Sequence, residues 1–408
     1  MRKLRVLTNS KLRSPSPPRP PSTANFSLIE SSQLIEEESL PWYDPRDFYP
    51  VRIGDVFQSR YQVIGKLGYG GYSTVWLCRD LMEHSYVTVK VCSQETSPVK
   101  REIAAYEYLR DLPKTKHYGR QYIRTSLDQF ELPATNGSSL CLVLKPMAES
   151  VWSYRQGRRL PELMFKNVLH HVLNALDYLH RHAKLIHAEI QEKNILLSLP
   201  SDTASLEAYE ERERTHPVPR KVVDNRIIYL SRHIEPESYG RPFLCDFGEA
   251  RFGSTTYTGL IQPQPYRAPE VILGMPWNEK VDIWSVGVMI WNMFLGKNMF
   301  KVTGADEADD DPRYHIAHMV SLLGPPQVDF LKRSETGVAW QYFDAQGNWV
   351  SENGLPDDSL ELSEDRLDGE KKAQFLRFVR KMVRWRPEDR ATAQELMHDP
   401  WLLSRAPQ

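Results

Sequence analysis

Four short stretches of this 408-residue chain carry residues able to do chemistry on a phosphate. Gly68-Tyr-Gly-Gly-Tyr-Ser73 is a glycine-rich turn between two strand-like runs. With no side chain in the way, backbone N–H groups there can lie over a phosphate. Lys90 stands alone in the apolar run Tyr86–Val91, and a lysine is costly to bury unless it is paired. Asp246, in Leu244-Cys-Asp-Phe-Gly248, is an acid in a loop after a strand and suits a magnesium ligand. The fourth stretch, His187-Ala-Glu-Ile-Gln-Glu-Lys-Asn194, sits between a long helical pattern and a short apolar run. Its Glu189 is a carboxylate that can accept a proton.

The elements that must position these groups follow from periodicity. Tyr61–Cys78 alternates as a strand, breaks at the glycines and resumes at Thr74. Pro98–Asp111 is helical and sets Glu102, Tyr106 and Leu109 on one face, so Glu102 points with the apolar side and needs a cation. Lys90 is the candidate; Glu107 lies on another face. Ser139–Leu144 is a buried strand that stops at Lys145-Pro146-Met147. Phe165–His182 carries Val168, Val172, Leu173, Leu176 and Leu179 at helical spacing, and its histidines 170, 171, 180 and 182 read as surface or capping residues. Residues 198–240 read as a polar, loop-like surface insert. Asp282 opens the apolar helix Ile283–Phe294 and reads as an N-cap. Phe375–Arg384 and Ala391–Leu396 read as a closing helix pair, with Arg390 placed to pair with Glu270.

Composition sets the outer limits. A chain with 41% hydrophobic residues can bury one large core or two. A net charge of −1 argues against binding nucleic acid directly. Residues 1–29 nevertheless hold six basic residues (Arg2, Lys3, Arg5, Lys11, Arg13, Arg19) and no acid. The Pro/Ser/Arg-rich residues 1–40 are expected to be a disordered tail. Glu36-Glu37-Glu38 and the run Asp306–Asp311 read as solvated acids. Cys78, Cys92, Cys141 and Cys245 are widely spaced and read as reduced core thiols. The longest apolar stretch, Ile283–Leu295, falls short of the roughly 18 residues a membrane helix needs.

Taken together and in order, these stretches resemble a eukaryotic protein kinase from about Tyr61 to Leu403. The glycine-loop template is met at Gly68, Gly70 and Val75, with Ser73 in the third glycine's place. Tyr266-Arg-Ala-Pro-Glu270 matches the mark that closes a kinase activation segment. In finer detail the chain is similar to the SR-protein kinase branch, through Lys66–Cys78, His315–Gly324 and Trp385–Ala393. Its lead-in, Leu40-Pro-Trp-Tyr-Asp-Pro45 and Tyr49–Gly54, resembles the flank of fungal members.

The resemblance implies an α+β, two-lobed kinase fold using ATP and Mg²⁺. Its divisions would be a tail at 1–40, an extension packing on the kinase at 41–60, an N-lobe at 61–147, a C-lobe at 148–403 with an insert at about 199–240, and a short tail at 404–408. Leu67, Gly68, Gly70, Ser73 and Val75 would cover the nucleotide, Lys90 and Glu102 would pair, and Lys145 and Met147 would face adenine. Pro146 has no N–H, so Met147 would donate. Asn194 and Asp246 would hold the metals and Glu189 would be the base. Arg267 and Glu270 would shape the peptide-binding end. The implied partners are Arg/Ser-rich proteins, which the acidic run would help dock, with no membrane, and the chain would be a monomer.

Three departures bear on activity. Ala188 replaces the Arg that grips an activation-loop phosphate in many kinases, so the resemblance implies that no such phosphate should be needed. Glu189 is one methylene longer than the usual Asp, and Gln191 replaces the usual Lys, removing a charge from beside the transferred phosphate. Two readings stay open: a serine/threonine kinase slowed by Glu189 and Gln191, or a nucleotide-binding pseudokinase scaffold. The expected location is cytoplasm and nucleus, with mitochondrial import on the basic N-terminus as the alternative. That same basic stretch could fold back as a pseudosubstrate.

Overall fold

The computed structural model describes residues 14–20, 22–93, 96–134, 137–200, 203–253, 255–302, 311–352 and 354–404. The chain divides into two compact units. The first takes the described residues of Met1–Val99, Thr125–Ala148 and Leu199–Tyr239, and the second those of Lys100–Arg124, Glu149–Ser198 and Gly240–Gln408. The first is β-rich and the second mainly helical, an α+β chain.

In the first unit, β1 (Leu28–Ile29) stands apart from a six-stranded sheet. The sheet holds β2 (Val56–Phe57), β3 (Tyr61–Gly70), β4 (Ser73–Asp80), β5 (Ser85–Cys92), β6 (Ser126–Ala134) and β7 (Gly137–Leu144), in the order β2-β3-β4-β5-β7-β6. Strand alternation explains its two faces. Val87, Val89 and Val91 join Trp76, Cys141 and Val143 in a core on one face. Lys90, between those valines, is thereby turned to the other. Val51 and Phe57, and Val218 and Tyr229 of the insert, close that core. The Tyr229 ring meets the Trp76 ring edge-on at 5.7 Å.

The insert differs from the loop expected of it. It folds into a helix, Ala204–Thr215, and a hairpin of strands Arg220–Val223 and Arg226–Tyr229. Apart from two alanines the helix is polar except for Leu206 and Tyr209, which pack on Ile64 and Leu77 of the sheet. The Tyr209 hydroxyl donates to the Lys66 carbonyl at 3.0 Å. That approach requires glycine at position 65, where a Cβ would stand 2.6 Å from the hydroxyl.

Residues 14–40 also differ from expectation: the described part is laid against the first unit and is not a free tail. A proline-rich segment cannot build a core, but it can lie extended on one. The Arg19 backbone and the Gln62 side-chain amide exchange two hydrogen bonds, at 2.9 and 2.7 Å. β1 pairs in parallel with the insert strand Arg220–Val223. The three glutamates are paired, not solvated. Lys66, buried, meets Glu37 directly and Glu36 at 3.4 Å, and Lys221, buried, meets Glu38 at 2.9 Å. Arg2, Lys3, Arg5, Lys11 and Arg13, and Asp306–Asp310, lie outside the described residues, and with them the pseudosubstrate and acidic docking expectations.

In the second unit, helix Glu162–Asp177 runs on through a wider turn at Tyr178–Ala183. Helix Lys280–Leu295 is buried from Val281 to Leu295. It starts two residues before Asp282, so Asp282 sits in its first turn and is not its N-cap. The closing helices are Gly369–Val379, Ala393–Met397 and Pro400–Leu403. The first begins and ends earlier than periodicity suggested. Arg390 reaches Glu270 through two bonds of 2.6 Å, both side chains fully buried. Such fork-on-fork pairing satisfies both charges where water cannot. Among the described residues, no helix is long and apolar enough to cross a membrane.

Candidate active site

Strand register assembles the first group of candidate residues. Across the sheet, Gly68 pairs with Val75, Val75 with Lys90, and Lys90 with Leu142. Directly paired residues share a face, so the Lys90 side chain emerges on the same face as Val75, which lies on the strand between it and Gly68. Gly70 pairs with Ser73, and Gly71-Tyr72 makes the turn. A Cβ on Gly68 would meet nothing within 4 Å, and one on Gly70 only the Ser73 hydroxyl at 3.5 Å. The backbone at Gly68 and Gly70 is therefore open to a ligand, as a phosphate cradle requires. Ser73 is buried and Leu67 half-buried. β7 ends at Leu144, Lys145 is exposed, and Met147 is buried.

In the second unit a two-stranded register brings the metal-type donors together. Strand Ile195–Ser198 pairs antiparallel with Pro242–Leu244, Ile195 opposite Leu244. Asn194 and Cys245 adjoin that pair, and the Cys245 N–H donates to the Asn194 carbonyl at 2.8 Å. Asp246 is the next residue. The Asn194 amide nitrogen donates to the Glu189 carbonyl at 2.9 Å, which leaves the amide oxygen as the metal-type donor. One Asp246 oxygen accepts from the Gly248 N–H at 3.1 Å. Oxygen donors of this kind fit Mg²⁺.

His187 ties the two loops. Its Nε2 lies 3.1 Å from the Cys245 carbonyl and its Nδ1 3.3 Å from the Glu189 N–H. Those roles need the neutral ring with its proton on Nε2. Burial pushes the imidazole down from its ordinary value and keeps it neutral. Asp282, fully buried, accepts the His187 N–H at 2.9 Å and the Ala188 N–H at 2.8 Å, and faces His180 Nε2 at 2.8 Å. Ala188 and Asp246 both take left-handed backbone, at φ +63° and +65°. For residues other than glycine that conformation costs roughly 1–2 kcal/mol, and here the surrounding bonds hold it.

Glu189 is itself constrained: the Gln191 side-chain amide donates to its carboxylate at 2.9 Å. Glu192, almost fully buried, is bound by Arg155 of helix Val151–Arg155. Burial raises the Glu192 carboxyl above its ordinary value, against the pull of that guanidinium. Glu102 is buried on helix Ser97–Asp111, as its spacing predicted. Arg101, beside it, donates to the Gly248 carbonyl at 2.7 Å and pairs with Glu249. Tyr106 of the same helix meets Phe247 edge-on at 5.5 Å.

Sequence reasoning missed His180, Arg101 and Arg155. A lone histidine or arginine on a helix carries no local signal of the loop it will hold.

With this geometry in view, comparison defines the class. The protein kinase domain model matches residues 61–402, and the chain belongs to that family. Within it, the chain is 42% identical over 398 residues to a serine/threonine protein kinase of Aspergillus fumigatus, covering 96% of each. It is 26% identical over 404 residues to the serine/threonine-protein kinase SRPK of Physarum polycephalum, covering 91% of this chain and 92% of that one. It is 25% identical over 540 aligned residues to SRSF protein kinase 3 of Mus musculus, covering 94% of each. The chain is thus a serine/threonine protein kinase with SR-protein kinases among its more distant relatives.

Proposed function

We propose that this kinase transfers the γ-phosphoryl of ATP to serine in Arg/Ser-rich proteins, slowly for its family. The observation that carries this is the state of the Glu189 loop. Although the usual Asp and Lys are absent, Asp282 holds the loop's backbone from outside, and bonds among His187, Glu189, Gln191 and Asn194 brace it within. A loop kept in such order is consistent with a working catalyst. Glu189 accepts the serine proton, and the Gln191 amide orients it in place of an ammonium. Asn194 and Asp246 hold Mg²⁺, and Lys90 and the Gly68–Ser73 turn hold the phosphates. ATP supplies the phosphoryl group, and Mg²⁺ neutralises the charge that develops on it. The Arg/Ser preference rests on the named SR-protein kinase relatives. Four buried cysteines, none of them in a disulfide, suit a reducing compartment, and we place the protein in cytoplasm and nucleus, to be checked with a fluorescent fusion.

The test is ³²P transfer from Mg-ATP to an Arg/Ser-repeat peptide and to myelin basic protein, with Asp246→Ala as the blank. Transfer above blank, faster on the repeat peptide, is expected. Equal rates on both substrates would remove the specificity. No transfer, with thermal stabilisation by Mg-ATP, would replace catalysis by a nucleotide-binding scaffold. The Gln191 amide occupying a Glu189 oxygen is the observation that favours that second reading.

A further inference from the structure

The lead-in around Leu40-Pro-Trp-Tyr has no part in the reaction just described, yet it runs beside the glycine-rich turn. Glu36 and Glu37 pair with Lys66, two residues before Gly68. The Ser39 hydroxyl lies 3.4 Å from the Tyr69 hydroxyl. The Trp42 indole N–H donates to the Gly71 carbonyl at 3.1 Å. The Trp42 ring also stacks on Tyr72, centroids 6.4 Å apart and planes within 26°. Residues 36 to 42 thus contact the turn at its root, on its rising strand and at its tip.

The anchoring differs along the segment. At the root Lys66 and Glu37 are buried and Glu36 is partly buried, and Glu36 also accepts the Ser231 N–H of the insert at 2.9 Å. At the tip Trp42, Tyr69 and Tyr72 are all exposed. The root is fixed by charges that cannot be left alone, whereas the tip is held by one hydrogen bond and one stacking contact.

We infer that Trp42 is a positioning residue for the glycine-rich turn, holding its tip through the Gly71 carbonyl and the Tyr72 ring. The inference deepens the proposed function and rests on its reading that this turn covers the ATP phosphates. Release of Trp42 frees the tip while the buried acid–lysine root stays closed.

The test compares wild type, Trp42→Ala and Trp42→Phe as full-length proteins. Amide hydrogen exchange at residues 69–73, measured without nucleotide, reads tip order directly. Trp42→Ala is expected to exchange faster there. It should also raise KM for ATP about fivefold, the size of one hydrogen bond, while kcat and the peptide KM hold. Trp42→Phe keeps a ring for Tyr72 but has no N–H, and should fall between the two. Melting temperature should barely move, because Trp42 is exposed. Unchanged exchange at 69–73 would overturn the inference, as would faster exchange with an unchanged KM for ATP. A drop in melting temperature matching the loss of ATP affinity would also overturn it, by making the role merely structural. If wild type itself neither binds nor turns over Mg-ATP, the proposed function fails, and the exchange measurement alone decides whether Trp42 orders the tip.

Discussion

Glu189 and Gln191 form a pair in which the Gln191 amide restrains the longer carboxylate side chain. A glutamate has one more rotatable bond than an aspartate, and the Gln191 amide removes that freedom at 2.9 Å. What the amide cannot supply is positive charge beside the transferred phosphate. Glu189→Gln should therefore lower kcat by roughly 100- to 10,000-fold, the usual range for a positioned acid or base. Glu189→Asp with Gln191→Lys should raise kcat by about 10- to 100-fold, since small misplacements at a reacting centre cost that much. Initial rates at saturating Mg-ATP read both changes, and a double variant slower than wild type would sink the argument. Asp282 acts one step away from the reaction. Asp282→Asn turns an acceptor of two backbone N–H groups into a side chain with its own N–H₂. The expected cost is about 3 kcal/mol by urea unfolding, with a fall in kcat because the Glu189 loop loses its anchor.

At the scale of elements, the contact between the insert helix and β3 is the most sharply determined. Gly65→Ala would drive a methyl into the Tyr209 ring, whose hydroxyl stands 2.6 Å from that Cβ position. A loss of about 1–3 kcal/mol is expected by chemical denaturation. Tyr209→Phe in the same background should recover part of it, and strictly additive effects would show that the two residues do not meet. This helix was illegible in the sequence for a physical reason. Only Leu206 and Tyr209 of its apolar positions carry the packing, too few to give a helical period. Glu36–Glu38 were misread for a related reason. Their lysines stand 29 and 183 residues away, and a pairing over such separations leaves no local trace. The places of the candidate residues Glu189, Asn194 and Asp246 in the chain, by contrast, were legible, because they sit on short loops beside one strand register. The helix face of Glu102 was also readable, because Tyr106 and Leu109 share it and are buried.

For the whole molecule, buried histidines contribute to the loss of stability in acid. His315 is buried against Phe300, ring centroids 5.2 Å apart, and burial pushes its pKa down to about 3. Burial also lowers His171, His187 and His318. Below about pH 6.5 the unfolded chain protonates these rings and the folded one does not. The stability they contribute is thus full above pH 6.5 and is lost as pH falls towards the folded values. His315 alone should give a slope of about 1.4 kcal/mol per pH unit through that window. Burial raises Glu192 and Glu213, so their contribution has the opposite sign and is lost as pH rises through their folded values. His315→Phe should flatten the decline of melting temperature between pH 6.5 and 5. An unchanged decline would mean that other groups control it.

The pairing of Lys221 with Glu38 joins two segments, one ahead of the residues that the protein kinase domain model matches and one far downstream within them. Neither can be discarded alone, since each would leave the other with a charge it cannot expose. The two additions therefore form a single heritable unit. Among related kinases, those that have shed the Ala204–Tyr229 region should also have lost the glutamates ahead of their glycine-rich turn, and any that kept one without the other should carry a neutral residue in place of the orphaned lysine or acid.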